Sequence, residues 1–306
     1  MTTAWCEHPI HRLATAIETR EVWVREVVDA TLDRIADRDA SLRAFTAVLS
    51  DSARVDADRA DQEIAAGRYR GPLHGVPVSI KDLIDLAGVP TTAASRVTGR
   101  VPATWDAPVV ARLRAAGAIL IGKCNLHEFA FGTTGEDSSH GQTLHPRDPN
   151  RSPGGSSGGS AVSVATGMAF ATLGTDTGGS IRIPAAACGL VGLKPTFGEV
   201  SCDGVVPLAP SLDHVGPLTR CVRDARLVYR AIRDHQGGEP APINGADQTL
   251  GCPRPYFLDR LDDEVRAVFE RALSRLTDAD WTVEDARVQH AHDAATIYLH
   301  LVLSEA

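Results

Sequence analysis

The sequence contains no apolar run long enough to cross a bilayer, which takes about 18–20 residues. The nearest candidate, residues 160–175, is interrupted by Ser, Thr and Gly and is typical of a buried helix followed by a strand. Residues 1–12 also hold no apolar stretch of the kind found in secretory signal peptides. We therefore expect a cytoplasmic protein that does not associate with a membrane.

Basic residues are not in excess either. The chain has 31 Lys and Arg residues against 39 Asp and Glu residues, which gives a formal net charge of -8 at pH 7. These charges are interspersed and form no basic patch, so direct binding of nucleic acid is not indicated. With 306 residues and 43% hydrophobic content, the chain can bury the core of an ordinary globular protein.

The cysteines form no C-x-x-C pair, and no histidine lies at metal-ligand spacing from them. We therefore expect free thiols in a reducing compartment, no metal site and no bound cofactor. Cys188 is an imaginable nucleophile, but an isolated cysteine beside several alanines more often serves as a small buried hydrophobic residue. The six positions are Cys6, Cys124, Cys188, Cys202, Cys221 and Cys252.

The chain begins with a predicted helical layer and continues as an α/β pattern. Apolar residues recur at helical spacing over 22–38 and 51–66, with Ser50 and Asp51 as expected caps. From Val76 onward, short apolar runs alternate with helical or glycine-rich segments, which predicts a sheet with helices. The predicted strands are 78–80, 119–121, 169–173 and 190–193.

The last part of the chain follows a predicted linker at 236–247, which is rich in Gly, Pro and Ala. Beyond it we expect a strand at Thr249–Cys252, a helix over 262–276 and an apolar helix that runs into the C-terminus.

Two segments concentrate glycine and serine, and the first is residues 153–160. It has no Gly-Lys-Ser/Thr ending as a phosphate loop requires, and neither segment has the spacing of a dinucleotide-binding loop. Residues 155–159 do match the G-x-S-x-G pattern of a nucleophile elbow, which would make Ser157 the nucleophile. However, the elbow follows an apolar strand, whereas residues 147–153 are polar, and flexible linkers produce similar patterns.

The second segment, residues 174–184, follows the predicted strand 169–173 and precedes an alanine-rich helical stretch. In such a strand-turn-helix, consecutive backbone amides can converge on one point, as an oxyanion hole requires. Ser180 would then lie beside its own anion site. The amides expected to form the hole are those of Thr177, Gly178, Gly179 and Ser180.

A serine nucleophile needs a base, and no histidine lies in either segment. Lys81 ends the apolar run 78–80, where burial would lower its pKa from the usual value of about 10.4 and let it accept a proton. The alternative is an ordinary ion pair between Lys81 and Asp82 at the end of the strand. Considered without the two serine segments, Lys81 fits this ion pair better than a catalytic role.

Six segments resemble those of the amidase-signature hydrolases. The resemblance runs from about Leu13 to the C-terminus and is strongest between Gly71 and Gly216. Ser156 and Ser180 follow in the family's order and at its separation of 24 residues. The matching segments are 72–82, 122–129, 153–160, 174–184, 192–196 and 211–217.

The resemblance implies an α/β fold with one mixed central sheet covered by helices. It also implies a catalytic relay in which Lys81 is the base, Ser156 is a bridging serine after a cis Gly155–Ser156 peptide, and Ser180 is the nucleophile. Ser157, Asp176 and Arg182 resemble polar positions around the family's site and would orient the loops. We expect four further matching residues in an internal structural network: Lys123, Asn125, Glu128 and Lys194.

The implied reaction is hydrolysis of a small-molecule carboxylic amide to an acid and ammonia or an amine, and a homodimer is one expected assembly. Overall the motifs most resemble those of the A subunit of tRNA-dependent amidotransferases, which releases ammonia from glutamine for a partner subunit, and free-standing amidases share nearly all of them. Relatives are usually longer, so we expect the C-terminal part of the family fold to be absent. A third alternative is therefore a weakly active or inactive fragment with a binding or structural role.

Under this resemblance, residues 1–306 are a single amidase domain with three parts. They are the helical N-terminal layer 1–70, the catalytic core 71–235 and the beginning of the C-terminal part, 236–306.

Overall fold

The computed structural model describes residues 2–234 and 249–306, which fall into two compact units. The larger unit contains residues 2–234 and 305–306, and the smaller one contains residues 249–304. The predicted linker 236–247 lies outside the described residues.

A six-stranded mixed sheet forms the centre of the larger unit. Its strands are β1 (Phe45–Val48), β2 (Pro77–Lys81), β3 (Ile119–Cys124), β4 (Ala171–Thr175), β5 (Val191–Gly192) and β6 (Val215–Thr219). Their order is β1-β3-β2-β4-β6-β5. Strand β2 is parallel to both β3 and β4, whereas the other pairs are antiparallel. Every residue of β2, β3 and β4 is buried, as expected for parallel strands covered on both faces.

Helices cover this sheet, and the predicted α/β fold is confirmed. They are α1 (Ile10–Glu18), α2 (Val24–Leu42), α3 (Ser50–Ala65), α4 (Pro108–Ala115), α5 (Gly158–Ala165), α6 (Arg182–Cys188) and α7 (Val222–Ile232). Their buried apolar residues join those of the strands in one hydrophobic core. Across the described ranges, no helix is both long and apolar enough to span a membrane.

The helices predicted over 22–38 and 51–66 are confirmed as α2 and α3, but the predicted cap of α3 is wrong. Leu49 is the N-cap residue, and no side chain caps this helix end. Ser50 and Asp51 lie inside the first turn instead, where the carboxylate of Asp51 still complements the helix dipole.

Strands β1 and β6 were not predicted, each for a physical reason. Strand β1 has only four residues and pairs with β3 alone, so its apolar alternation is too short to detect. Strand β6 contains Pro217, and a proline within a central strand normally argues against one because it cannot donate to the ladder. The carbonyl of Pro217 nevertheless accepts the amide of Leu193 at 3.0 Å.

The smaller unit contains a two-stranded parallel sheet of β7 (Thr249–Cys252) and β8 (Thr282–Asp285). Helix α8 (Asp263–Thr277) precedes β8, and helix α9 (Ala294–Glu305) follows it. The predicted strand, helix and C-terminal apolar helix are therefore confirmed, with α8 shifted by a single residue at each end.

A buried ion pair joins β3 to the end of β2. Lys123 Nζ lies 2.9 Å from Asp82 Oδ1, and neither side chain is more than 1% exposed. Asp82 also accepts the hydroxyls of Thr46, at 2.9 Å, and Thr92. Burial lowers the pKa of Lys123, while the charge of Asp82 opposes this shift. The two side chains thus compensate each other in a region that excludes water.

Replacing Lys123 with methionine is expected to destabilise the fold by about 3–5 kcal/mol, because Asp82 would be left buried without its counter-ion. Urea unfolding followed by circular dichroism measures this change. The control is Arg151→Met, which breaks an exposed pair with Asp148 and should leave the midpoint almost unchanged. Equal midpoints for Lys123→Met and Arg151→Met would contradict the assignment.

Candidate functional site

The parallel pairing of β2 and β4 places the ends of both strands at one edge of the sheet. Lys81 ends β2 and is fully buried. Its Nζ donates to Ser156 Oγ at 2.7 Å and to Thr175 Oγ1, at the end of β4, also at 2.7 Å. The structure therefore brings together Lys81 and Ser156, two of the three residues predicted for the relay.

The alternative prediction, an ion pair between Lys81 and Asp82, is wrong. The Asp82 carboxylate bonds to Lys123 instead, because successive side chains along a strand point to opposite faces of the sheet. Lys81 therefore faces the serine loops without a bonded carboxylate.

Burial lowers the pKa of Lys81 from 10.5 to about 7, while the charges of Asp176 and Asp213 oppose this shift. A large fraction of the lysine is therefore a neutral amine near neutral pH. A neutral amine can accept a proton, whereas an ammonium group can only donate. The environment of Lys81 thus supplies what a general base needs.

Ser156 lies in a tight loop that leads directly into α5. The Gly155–Ser156 peptide is cis, as the resemblance implied. A Cβ on Gly155 would lie 2.8 Å from the amide nitrogen of Gly135, so only glycine fits there. Ser156 itself is fully buried.

Ser157 joins this loop to the turn that carries Ser180. Its amide donates to the carbonyl of Ser180 at 3.2 Å, and its hydroxyl donates to the carbonyl of Thr175 at 3.2 Å. The Ser157 side chain is fully buried. Burial and these contacts argue against the nucleophile-elbow alternative, because a nucleophile must reach its substrate.

The turn between β4 and α6 wraps around the carboxylate of Asp176. This carboxylate is fully buried and accepts the amides of Gly179 at 2.7 Å and Ile181 at 3.2 Å. Arg182 adds two charged hydrogen bonds, at 2.9 and 3.0 Å. Burial raises the pKa of Asp176, but the bonds and charge of Arg182 outweigh it and hold the pKa below its usual value. Asp176 thus stays ionised and fixes the turn.

Four amides of this turn were expected to form the oxyanion hole, and Gly179 does not fit this expectation. Its amide already donates to the carboxylate of Asp176. The amides of Thr177, Gly178 and Ser180 donate to no acceptor in the part of the chain that the structure describes. Ser180 is 7% exposed, and its hydroxyl makes no hydrogen bond to a described residue. The structure therefore joins the turn of Ser180 to Ser157, the residue after Ser156, and shows no hydrogen bond between the hydroxyls of Ser156 and Ser180.

Two residues at the site were not singled out from the sequence, Thr175 and Asp213. Thr175 holds Lys81, and no sequence signal marked it, because the contact depends on β2 and β4 being neighbours in the sheet. Asp213 accepts the hydroxyl of Thr177 at 2.5 Å, and it lies within the matching segment 211–217 without a chemical pattern of its own.

Of the four residues expected in a structural network, Lys123, Asn125 and Lys194 have such contacts, whereas no such side-chain contact is seen for Glu128 among the described residues. Asn125 donates to the carbonyls of Arg43 at 3.0 Å and Gly141 at 2.9 Å. Lys194 contacts His214 Nε2 at 3.1 Å. These bonds tie neighbouring loops together, as expected for Lys123, Asn125 and Lys194.

A cavity of about 570 Å³ has walls that are hydrogen-bonded to Ser156 and to Asp213, although it is not lined by the segments 153–160 and 174–184 themselves. On one side, the amide of His127 donates to the carbonyl of Ser156 at 3.1 Å. On the other side, the amide of Leu208 donates to Asp213 Oδ2 at 2.9 Å. Its lining includes Val97, His127, Glu128, Phe129, Phe131, Asp137, Pro207 and Leu208. Most of these walls are apolar, with acidic groups among them.

Potential metal ligands come together away from these loops. The donor atoms of His11, Cys221 and Asp224 lie within 4.8 Å of one another. The carboxylate of Asp224, however, already accepts the amides of Ile10 at 2.8 Å and His11 at 3.3 Å, at the start of α1. We therefore interpret this group as a helix cap.

The cysteines have no role at this site, and all six are free thiols as predicted. Cys188 is buried, and its thiol contacts the carbonyl of Pro153 at 3.5 Å. Burial raises the pKa of this thiol to about 12, so it is not poised as a nucleophile.

A mixed sheet covered by helices, with a buried lysine bonded to a serine at one edge, defines a hydrolase-like α/β protein. A sequence model of the Amidase family matches residues 26–306. The chain belongs to this family.

Individual relatives agree with this assignment. The chain is 42% identical to the A subunit of the glutamyl-tRNA(Gln) amidotransferase of Heliobacterium modesticaldum, over 97% of this chain and 63% of that protein. It matches the crystal structure of an amidase with a TM-score of 0.88 at 39% identity, over 98% of this chain and 68% of that one. It also matches the peptide amidase of Stenotrophomonas maltophilia with a TM-score of 0.89 at 33% identity, over 99% and 66% of the two chains.

The chain thus spans less than two thirds of the length of the curated relatives that it matches first. Neither these relatives nor the structural neighbours favour an inactive fragment over an amidase-family hydrolase.

Proposed function

We propose that the chain hydrolyses a small carboxylic amide through an acyl-enzyme on Ser180. The observation that carries this proposal is the 2.7 Å bond between Lys81 Nζ and Ser156 Oγ, in a fully buried setting that lowers the pKa of Lys81 to about 7. The amides of Thr177, Gly178 and Ser180, which have no described acceptor, supply candidate donors for the oxyanion.

The proposed cycle moves one proton along the relay in each half-reaction. Neutral Lys81 takes a proton from Ser156 while Ser156 takes one from Ser180, whose oxygen bonds to the amide carbon. The turn amides stabilise the resulting oxyanion. Collapse breaks the C–N bond as Ser156 protonates the leaving nitrogen and Lys81 returns a proton to Ser156. Water then cleaves the ester of Ser180 by the same steps.

The cavity of about 570 Å³, whose walls are bonded to Ser156 and Asp213, favours a general amide substrate with an apolar part. Its walls include the side chains of Phe129, Phe131 and Leu208, which would pack against such a group. This class of substrate is part of the proposal.

A second candidate is the release of ammonia from glutamine for a partner subunit. It is supported by the 42% identity to the A subunits of glutamyl-tRNA(Gln) amidotransferases from several bacteria. Under this candidate, activity would require glutamine and a partner protein of an amidotransferase complex.

Ammonia release from a set of aliphatic and aromatic amides, and from glutamine, tests these candidates. The first expects turnover of apolar amides by the chain alone, and its loss in Ser180→Ala. Turnover of glutamine only, and only with a partner subunit, would favour the second candidate. Turnover that survives in Ser180→Ala would contradict both.

The pH dependence provides a separate prediction. Because the base must be deprotonated and the pKa of Lys81 is about 7, kcat/KM should rise about tenfold per pH unit below pH 7 and level off above it. The measurement is kcat/KM for one amide between pH 5 and 10. A limb centred near 10 would show that Lys81 keeps its ordinary pKa, and would contradict the proposed base.

A further inference from the structure

One carboxylate connects the turn that carries Ser180 to the wall of the cavity. Asp213 Oδ1 accepts the hydroxyl of Thr177 at 2.5 Å. Its other oxygen, Oδ2, accepts the amides of Leu208 at 2.9 Å and Ala209 at 3.1 Å. Asp213 therefore holds Thr177 on one side and the Leu208 loop on the other.

The backbone fixes where this carboxylate lies. Beyond the last paired residues of β4 and β6, Asp176 and His214 exchange two amide bonds, at 2.9 and 3.1 Å. These bonds extend the antiparallel ladder by one step, directly beside Asp213 and Thr177. The ladder sets the distance between Asp213 and Thr177. The carboxylate of Asp213 therefore holds the turn in a single position.

We propose that Asp213 is a positioning residue for amide hydrolysis, which holds the amides of Thr177 and its neighbours in place and supplies negative charge near Lys81. This role rests on the function proposed above. Donors aimed in advance at a developing charge are worth far more than mobile ones, so a fixed turn should speed the chemical step rather than strengthen substrate binding.

Unlike the other carboxylates around Lys81, Asp213 has no positively charged partner among the described residues. Asp176 is paired with Arg182, and Asp82, on the opposite face of β2, is paired with Lys123. Asp213 forms no ion pair with a described residue. The remaining groups bonded to Lys81, the hydroxyls of Ser156 and Thr175, are neutral. Removing the charge of Asp213 should therefore lower the pKa of Lys81 further, because Asp213 now raises it.

Two variants separate positioning from charge. Thr177→Val removes the hydroxyl but no charge, so kcat should fall by roughly tenfold, the effect of one hydrogen bond to a charged group, with KM nearly unchanged. Asp213→Asn removes the charge as well, so kcat should fall and the acid limb of the pH profile should move to lower pH. The double variant should have a kcat no lower than that of Asp213→Asn alone. Both changes act on the same contact, the hydrogen bond between the Thr177 hydroxyl and the Asp213 carboxylate.

Asp203→Asn is the matched control, because Asp203 is an exposed acid of the preceding loop. It should change neither kcat nor the pH midpoint. Thermal melting by circular dichroism establishes that each variant is folded, and Thr177→Val tests the contact even if Asp213→Asn does not fold.

Titration of lysine side chains by NMR, with the Lys81 signal assigned from Lys81→Met, gives a readout that does not depend on turnover. A lower midpoint for Lys81 in Asp213→Asn supports the electrostatic part of the role, even if no amide is hydrolysed and the proposed function fails. An unchanged midpoint, or additive losses of kcat in the double variant, would overturn the inference while the hydrolysis could still hold.

Discussion

Replacing Lys81 with methionine is expected to lower kcat/KM for an amide substrate by about 10²–10⁴-fold, the usual contribution of a general base. Methionine has a similar length and no proton acceptor of comparable strength, so Ser156 would lose the group that takes its proton. The measurement is steady-state hydrolysis of an amide that the wild-type chain turns over, at pH 8, where most of Lys81 is neutral.

The pH dependence of the free energy of unfolding shows whether the lost activity of Lys81→Met comes from the missing base or from an unfolded protein. The folded-state pKa of Lys81 lies below its usual value, about 7 against 10.5, so the unfolded chain binds more protons within that window. The stability of the wild-type protein should therefore include a part that rises from pH 7 to 10.5, and this part should vanish in Lys81→Met. A folded Lys81→Met protein with wild-type turnover would show that Lys81 is not the base.

Replacing Ser156 with alanine should be nearly as damaging, with a loss of about 10²–10⁴-fold, because Ser156 is the proposed path for both proton transfers. Lys81 would keep its bond to Thr175 but would lose the hydroxyl through which the proposed relay reaches Ser180. Hydrolysis of the same amide, under the same conditions, measures the loss.

Ser160→Ala is the control for this change, since Ser160 is also fully buried and lies four residues further on, in α5. Its hydroxyl has a long contact, 3.5 Å, with the carbonyl of Leu173 and interacts with the thiol of Cys124, but it does not contact Lys81, so turnover should change little. Equal losses in the two variants would mean that the Ser156 effect is structural.

Much of the fold was predictable because its elements follow strong local patterns. Helices α2 and α3 carry regular apolar spacing, and β2 and β3 each contain a short, mostly apolar run. Strand β6 was not predictable, because Gly216 and Pro217 are poor strand residues whose place is set by pairing with β4 on one side and β5 on the other.

The candidate site was predictable as residue types but not as contacts. The lysine at the end of an apolar run pointed to Lys81 and the second glycine-serine segment to Ser180, whereas Ser156 came from the resemblance to the amidase-signature hydrolases. The sequence could not show that Lys81 bonds to Thr175, because that contact depends on which strands are neighbours. Nor could it show that the amide of Gly179 turns inward to Asp176, which is a property of the folded turn.

Labelling with a serine-directed fluorophosphonate, followed by peptide mapping in a mass spectrometer, tests whether Ser180 is the nucleophile of this chain. One adduct per chain on Ser180 is the predicted result, formed much more slowly in Lys81→Met because the serine would lose its proton relay. An adduct on Ser157 with Ser180 unmodified would contradict the account and restore the nucleophile elbow as the site of chemistry.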